Sequence, residues 1–347
     1  MNSQVKGKLR KIGVFLPTWV GDACMATPTL RALRSCYPEA ELTIFARPVI
    51  AELLRGTKKS LYDNCLQFRK DIAGRLGLIR QIGALHLDAA LVLPNSFWTA
   101  AVVRLAGVRN VVGYNRNARG WLLHTSVKPI FEGSKYKPVS AIDYYLELAA
   151  QLGCRTDDKQ MGLAFDSEAK DQARVLWNTA GFSDSLETVV INSNAATDPS
   201  RVWPAECVRE LAVRLANRGT QVFLHCDPRE RPVANALANS ISHPNVKSMG
   251  ISEELPIGLS KAVLAKADVV TTTDSGARHM AVALNTQVVS LFGTTHPDWT
   301  RTYNQPEQII MPEAPPETEK QDLIKFISVE RVYDATVGCL RAKSAAA

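Results

Sequence analysis

Residues Asp268–Phe292 read DVVTTTDSGARHMAVALNTQVVSLF: a β-branched run, a polar turn containing a glycine, an apolar stretch at helical spacing, and a second β-branched run. Strand, turn, helix and strand in that order form one unit of a parallel sheet. On its N-terminal side, TVVINS (188–193) and QVFLHC (221–226) supply further strands. The helical patterns PAECVRELAVRLANRG, RPVANALANSI and IGLSKAVLAKA lie between the strands. The first half repeats the scheme, with KIGVFL (11–16), ELTIFA (41–46), AALVLP (89–94) and NVVGY (110–114) as strands and TPTLRALRSCY and SFWTAAVVRLAG as helices. The expectation is α/β, with two doubly wound domains over 1–160 and 161–325. A polar linker falls near 155–170, and a C-terminal helix over 326–347 is expected to pack back toward the first domain, its last residues, KSAAA, frayed. Ligands of open parallel sheets bind at the carboxyl ends of the strands, so the two domains are expected to face one another across a shared cleft.

Four turns carry the chemistry. Pro17-Thr18-Trp19-Val20-Gly21-Asp22 follows the first strand; its glycine permits close backbone approach, and Asp22 is either a general base or the cap of the next helix. Leu93-Pro94-Asn95-Ser96-Phe97-Trp98 ends another strand with amide, hydroxyl and aromatic groups that suit a sugar, or else caps a helix. In the stretch from Thr271 to His279, the amides of Ser275 and Gly276 would open a helix, where unpaired N–H groups favour a phosphate, with His279 one turn deeper. The plainer alternative makes Asp274 or Ser275 an N-cap and His279 a surface residue. Finally, Thr197-Asp198-Pro199-Ser200-Arg201-Val202-Trp203-Pro204 offers a hydroxyl and a guanidinium to a phosphate, or is a loop whose tryptophan packs on its domain.

Composition narrows the class. The chain has 347 residues and a net charge of +7; residues 1–160 hold 23 Lys/Arg against 12 Asp/Glu, and the remainder 18 against 22. A basic first half suits an anionic partner or is merely a soluble surface; with no nucleic-acid-binding signature the expected partner is acidic lipid or phosphorylated glycan, not nucleic acid. Seven scattered cysteines without CxxC spacing fit neither a disulfide framework nor a zinc cluster, and point to a reducing compartment. No run approaches the roughly 20 apolar residues of a membrane span, and the N-terminal KIGVFLP is too short for a signal sequence. The expected location is cytoplasmic, or peripheral on the inner face of the inner membrane.

The segments VFLPTWVGDACMATPTLRALRSCYPEAELT, VLPNSFWTAAVVRLAGVRNVVGYNRNARGWLL and TTTDSGARHMAVALNTQVVSLFGTTHPDWT resemble, in order, the ADP-heptose:lipopolysaccharide heptosyltransferases of glycosyltransferase family 9. The PNSF and GYNRNARGWLL segments look more like the heptosyltransferase II branch. The resemblance implies a GT-B architecture of two Rossmann-like domains, the first for a lipid A–Kdo–heptose acceptor and the second for ADP-heptose. It implies an inverting transfer without metal or other cofactor, and no DxD triplet occurs in the chain. Carried over residue by residue, Asp22 is the base; Thr18, Trp19, Gly21, Asn95 and Ser96 lie on the acceptor side; Thr197, Arg201, Asp274, Ser275, Gly276 and His279 lie on the donor side. Asp227 and Glu230 are candidates for the acid of the adenine pocket. One departure stands out: Arg201 occupies a position where the family pattern has lysine, and the two are not interchangeable. A relative using another nucleotide sugar or glycan, and a non-catalytic nucleotide- or lipopolysaccharide-binding protein, are the alternatives.

Overall fold

The computed structural model describes residues 9–69, 71–133, 135–193 and 198–346. It divides into two compact units, Met1–Leu163 with Asp298–Tyr303, and Ala164–Pro297 with Asn304–Ala347.

The first unit runs β1 (Lys11–Phe15), α1 (Val20–Met25), α2 (Thr27–Cys36), β2 (Glu41–Ala46), α3 (Pro48–Leu53), β3 (Asn64–Gln67), α4 (Ile72–Leu85), β4 (Ala89–Val92), α5 (Phe97–Leu105), β5 (Asn110–Tyr114), β6 (Thr125–Val127), a small hairpin β7 (Phe131–Glu132) and β8 (Lys135–Tyr136), and α6 (Ala141–Ala150). Its main sheet is parallel throughout, in the order β3-β2-β1-β4-β5-β6. The central strands are buried along almost their whole length, as expected where helices cover both faces.

The second unit runs α7 (Ser167–Ala180), β9 (Thr188–Asn192), α8 (Ala205–Asn217), β10 (Gln221–Leu224), α9 (Arg231–Ile241), β11 (Val246–Ser248), α10 (Ile257–Lys266), β12 (Val269–Thr273), α11 (Gly276–Ala283), β13 (Gln287–Leu291), β14 (Glu307–Ile310) and α12 (Val329–Ala346). Its sheet repeats the same parallel order, β11-β10-β9-β12-β13-β14. In each sheet the winding direction reverses once, between β1 and β4 and between β9 and β12. These reversals are the places where an open α/β sheet leaves a crevice for a ligand.

Two expectations need correction. The C-terminal helix α12 belongs to the second unit: Val332, Ala335, Val337, Cys339 and Leu340 share one buried core with Leu211, Leu215 and Val289. Thr336 Oγ1 lies 3.0 Å from Thr271 Oγ1, and Lys343 pairs with Asp268 at 2.8 Å. The apolar stripe of α12 therefore covers the sheet that carries the donor motif, and the helix runs to Ala346. The boundary also differs, because Asp298–Tyr303 joins the first unit. There Ser140 Oγ donates to the Arg301 carbonyl at 3.1 Å, and the Tyr303 hydroxyl donates to Asp143.

Candidate functional site

At the first reversal, β1 passes through Leu16–Thr18 into α1. Trp19 is the extended residue before the helix (φ −95°, ψ 143°), no side chain caps it, and Asp22 lies inside the first turn. Asp22 therefore does not cap α1. A carboxylate at that position lies at the positive end of the helix. Asp22 is half-buried, as are Thr18 and Gly21, while the Trp19 ring is 62% exposed. The phenol of Tyr145 on α6 is held well above its ordinary pKa of 10.0, first by burial and then by the negative charge of Asp22.

The neighbouring strand β4 ends at Pro94-Asn95-Ser96. Ser96 is the N-cap of α5, its Oγ accepting from the Thr99 N–H at 3.3 Å. Asn95 Oδ1 accepts from Arg119 Nη2 at 3.3 Å and from the Tyr144 hydroxyl at 3.1 Å. A guanidinium can only donate, so these contacts fix which end of the amide is oxygen and aim its Nδ2 donor elsewhere. Arg119 is fully buried and also donates to the carbonyls of Tyr114 (3.0 Å), Ser96 (3.1 Å) and Pro94. Burial lowers its pKa to about 10, which leaves it charged at neutral pH. Tyr144 stacks on Tyr114 with centroids 3.6 Å apart. Arg119, Tyr114 and Tyr144 thus position Asn95, and nothing local in the sequence marks them for it.

At the second reversal the polar groups are interior. Asn192, the last residue of β9, donates from Nδ2 to Thr272 Oγ1 (3.1 Å) and to Ser275 Oγ (3.0 Å). Its Oδ1 faces His225 Nδ1 at 3.1 Å, so that nitrogen carries the proton. Ser275 stands at the N-cap position of α11, yet its side chain does not cap the helix; it is turned to Asn192 and Thr272. The first-turn amides of α11, from Gly276 onward, thereby receive no side-chain cap, the arrangement in which a helix N-terminus receives an anion.

Asp274 is likewise not a cap. Its Oδ1 accepts from Arg278 at 3.1 Å and its Oδ2 from Thr295 Oγ1 at 2.8 Å. Arg278, with no exposure at all, also forks onto Glu307 through Nε (2.5 Å) and Nη2 (3.0 Å) and packs over Phe292. His279 is not a surface residue: it is buried, with Nε2 3.7 Å from Asp274 and Nδ1 without a hydrogen-bond partner among the described residues. Burial, reinforced by the Arg278 charge, pushes its pKa down to about 4. His225 is pushed to about 4 by burial as well, and both rings are neutral at pH 7.

Arg201 joins this group from the short 3-10 turn Pro199–Arg201, reaching the Asp274 carbonyl at 3.3 Å and its carboxylate at 3.6 Å, with Asp198 3.3 Å from its Nε. A phosphate would meet a guanidinium already flanked by two carboxylates. Trp203 is buried and donates to the Ile327 carbonyl at 3.0 Å, so it serves packing. Thr197 lies outside the described residues. Asp227 and Glu230 form a reciprocal pair of caps: Asp227 Oδ1 accepts from the Glu230 N–H at 3.0 Å, and Glu230 Oε2 accepts from the Asp227 N–H at 3.0 Å. Both carboxylates are engaged by the turn leading into α9. Arg201, Asp274, Ser275, Gly276 and His279 are therefore brought together, and sequence reasoning missed Asn192, His225, Arg278 and Glu307 beside them. The glycine of the LFG triplet has a packing reason: a Cβ on Gly293 would lie 2.9 Å from Ile324 Cβ and 3.2 Å from its backbone nitrogen.

Comparison with known proteins bears on the family and the fold. Residues 75–327 match the model of glycosyltransferase family 9 (heptosyltransferase). The chain is 27% identical over 312 residues to lipopolysaccharide heptosyltransferase 2 of Escherichia coli K12, covering 86% of this chain and 87% of that one. Among solved structures, E. coli ADP-heptose lps heptosyltransferase II superposes with a TM-score of 0.81 at 23% identity, over 96% of this chain and 99% of that one. A family 9 glycosyl transferase from Veillonella parvula superposes at 0.83 with 18% identity, over 97% and 100%.

Proposed function

This chain belongs to glycosyltransferase family 9 and is a heptosyl-transferring enzyme of the GT-B fold, and from that premise we propose that it moves heptose from ADP-heptose to the inner core of a lipid A-linked lipopolysaccharide, with inversion and with Asp22 as the base. The observation that carries this reading is Asp22 itself: a half-buried carboxylate in the first turn after β1, at the reversal of the sheet and not engaged as the cap of α1. Asp22 takes the proton of the acceptor hydroxyl as its oxygen attacks the anomeric carbon. The bond to the diphosphate breaks with its electron pair leaving on ADP, and one displacement inverts the centre. Thr18, Trp19, Gly21 and Asn95 hold the acceptor.

The departing charge is met in the second unit by the uncapped amides at Gly276, by Arg201 and by Thr197. Such preorganised donors replace a metal where the leaving group is already good. His279 and His225, neutral and buried, keep the pocket from adding positive charge of its own. Arg201 in place of lysine supports a second reading, a relative that takes another nucleotide sugar; a panel of ADP-, UDP- and GDP-sugars separates the two.

The central test is Asp22→Ala. Loss of a general base costs about 10²- to 10⁴-fold in rate, so kcat falls by more than about 100-fold while calorimetric ADP affinity is unchanged. NMR of the wild-type product shows the inverted anomer. Near-normal turnover in the variant, or a retained anomer, overturns the assignment.

A further inference from the structure

Of the large aromatic side chains that stand exposed, Trp19, Phe97, Trp121, Phe131, Tyr136 and Trp299 belong to the first unit and Phe326 alone to the second, among the described residues. Four of them form two contacting pairs, Phe97 with Trp121 at 6.0 Å and Phe131 with Tyr136 at 4.7 Å. The Arg116 guanidinium lies 4.0 Å from the Tyr136 ring, and its loop continues along the chain into Trp121. Ile130 extends the surface at 61% exposure, its carbonyl accepting from the Lys137 N–H at 3.0 Å. Trp121 is 75% exposed although its loop is anchored by the buried Arg119, and Asn117 donates to the Asn95 carbonyl at 3.0 Å. The Trp121 ring is held out on an anchored loop.

Exposed apolar area of this kind marks a binding surface. Its charge says for what: apart from the buried Arg119, residues 115–137 contain four basic residues and one acid, Glu132, and Lys128 and Lys137 are exposed. Aromatic rings interspersed with lysine and arginine suit the headgroup level of an anionic bilayer, where the rings sit at the interface and the cations meet lipid phosphates. We propose that the Phe97–Trp121 pair and the β7–β8 hairpin form the face by which the first unit docks on an anionic membrane. The face adjoins Asn95 through Phe97, so it presents the β4 end of the acceptor region to the surface in which a lipid-linked acceptor is anchored; this last link rests on the proposed function, whereas the docking face itself does not.

The test is flotation of the full chain with vesicles of phosphatidylglycerol and phosphatidylcholine, with pure phosphatidylcholine as the neutral control. Wild type floats with the anionic vesicles and is released by salt. With each cation near such a surface worth about fivefold in binding, Lys128→Ala with Lys137→Ala weakens partitioning by about 30-fold. Trp121→Ser with Phe131→Ser weakens it by at least about tenfold. Both double variants keep the wild-type melting temperature, ADP affinity and rate on a deacylated acceptor. Unchanged partitioning in both variants, equal binding to neutral vesicles, or binding only when glycolipid acceptor is added each overturns the proposal, the last by making the surface a reader of the acceptor. Asp22→Ala floats like wild type, so a failure of the catalytic reading leaves this result intact.

Discussion

The two sheets have the same strand order, and their reversals have opposite chemistry. At the β1/β4 reversal a half-buried carboxylate and an exposed indole stand at the rim, and a buried charge, Arg119, is bonded to neutral carbonyls and an amide. At the β9/β12 reversal the charges face inward: Arg278 is enclosed between Asp274 and Glu307, and two neutral histidines and an asparagine fill the space beside them. A shared topology fixes where a ligand can bind without fixing what binds. A rim carboxylate suits proton transfer on a large acceptor that remains partly in water. A rigid interior network suits holding helix amides in place for an anion.

The largest effect that would break this contrast is on the enclosed ion group. Arg278→Ala strands Glu307 and Asp274 without their main cation, and an uncompensated buried charge costs about 3–5 kcal/mol. Arg119→Ala removes a cation that faces only neutral acceptors, for which about 1–3 kcal/mol is expected. Denaturant titration, with hydrogen exchange read over 268–292 and 110–127, should show the larger loss in Arg278→Ala, confined to the second unit. Equal losses would mean that the two reversals are built alike.

Acid provides the next test. His225 and His279 have folded-state pKa values near 4 against an ordinary 6.5, so between those limits the unfolded chain binds protons that the folded one refuses. Their contribution is complete above pH 6.5 and declines as pH falls toward 4, by at most about 1.4 kcal/mol per pH unit for each ring. His279 is faced by Arg278 and Arg201, which oppose its protonation, and by Asp274 and Glu307, which favour it; burial and Arg278 outweigh the two carboxylates. The urea midpoint of the second unit, followed by exchange at pH 7, 5.5 and 4.5, should fall in wild type and fall less steeply in His225→Gln/His279→Gln. Parallel slopes would remove the histidines from the explanation.

How much of this was legible follows from periodicity. The eight strands read from the sequence are inner ones, buried on both faces and therefore continuous apolar runs. Of the strands that escaped, β7 and β8 are only two residues each, and β3, β6, β11 and β14 are the outer strands, whose segments NCLQ, TSV, VKS and EQII are short and polar because one edge meets no partner strand. Helix α12 was visible as a helix, but its docking partner was not, since an apolar stripe does not name the surface that covers it. Asp22, Asp274 and Gly276 were legible because turn chemistry is local. The pairing of Arg278 with Glu307, across 29 positions of chain, was not. Nor was the membership of Asp298–Tyr303 in the first unit, which depends on contacts with Ser140 and Asp143 far earlier in the chain.

The smallest effect sharpens the first reversal. Ser96 resembles a sugar-binding residue in sequence, but its hydroxyl accepts from the Thr99 N–H and so serves the helix. Ser96→Ala should cost about 0.5–2 kcal/mol, the usual loss of an N-cap, with acceptor KM and kcat unchanged. Ser96→Asp, which caps equally well, should restore the stability. Asn95→Ala differs, because the contacts of Arg119 and Tyr144 hold its oxygen and direct its amino group away from them: acceptor KM rises, and the melting temperature falls as well, since a buried and a half-buried donor lose their acceptor. A rise in acceptor KM for Ser96→Ala at full stability would place both residues on the sugar. The rim at β4 would then be a binding surface like the rim at β1, and the cap only a resting position of the serine.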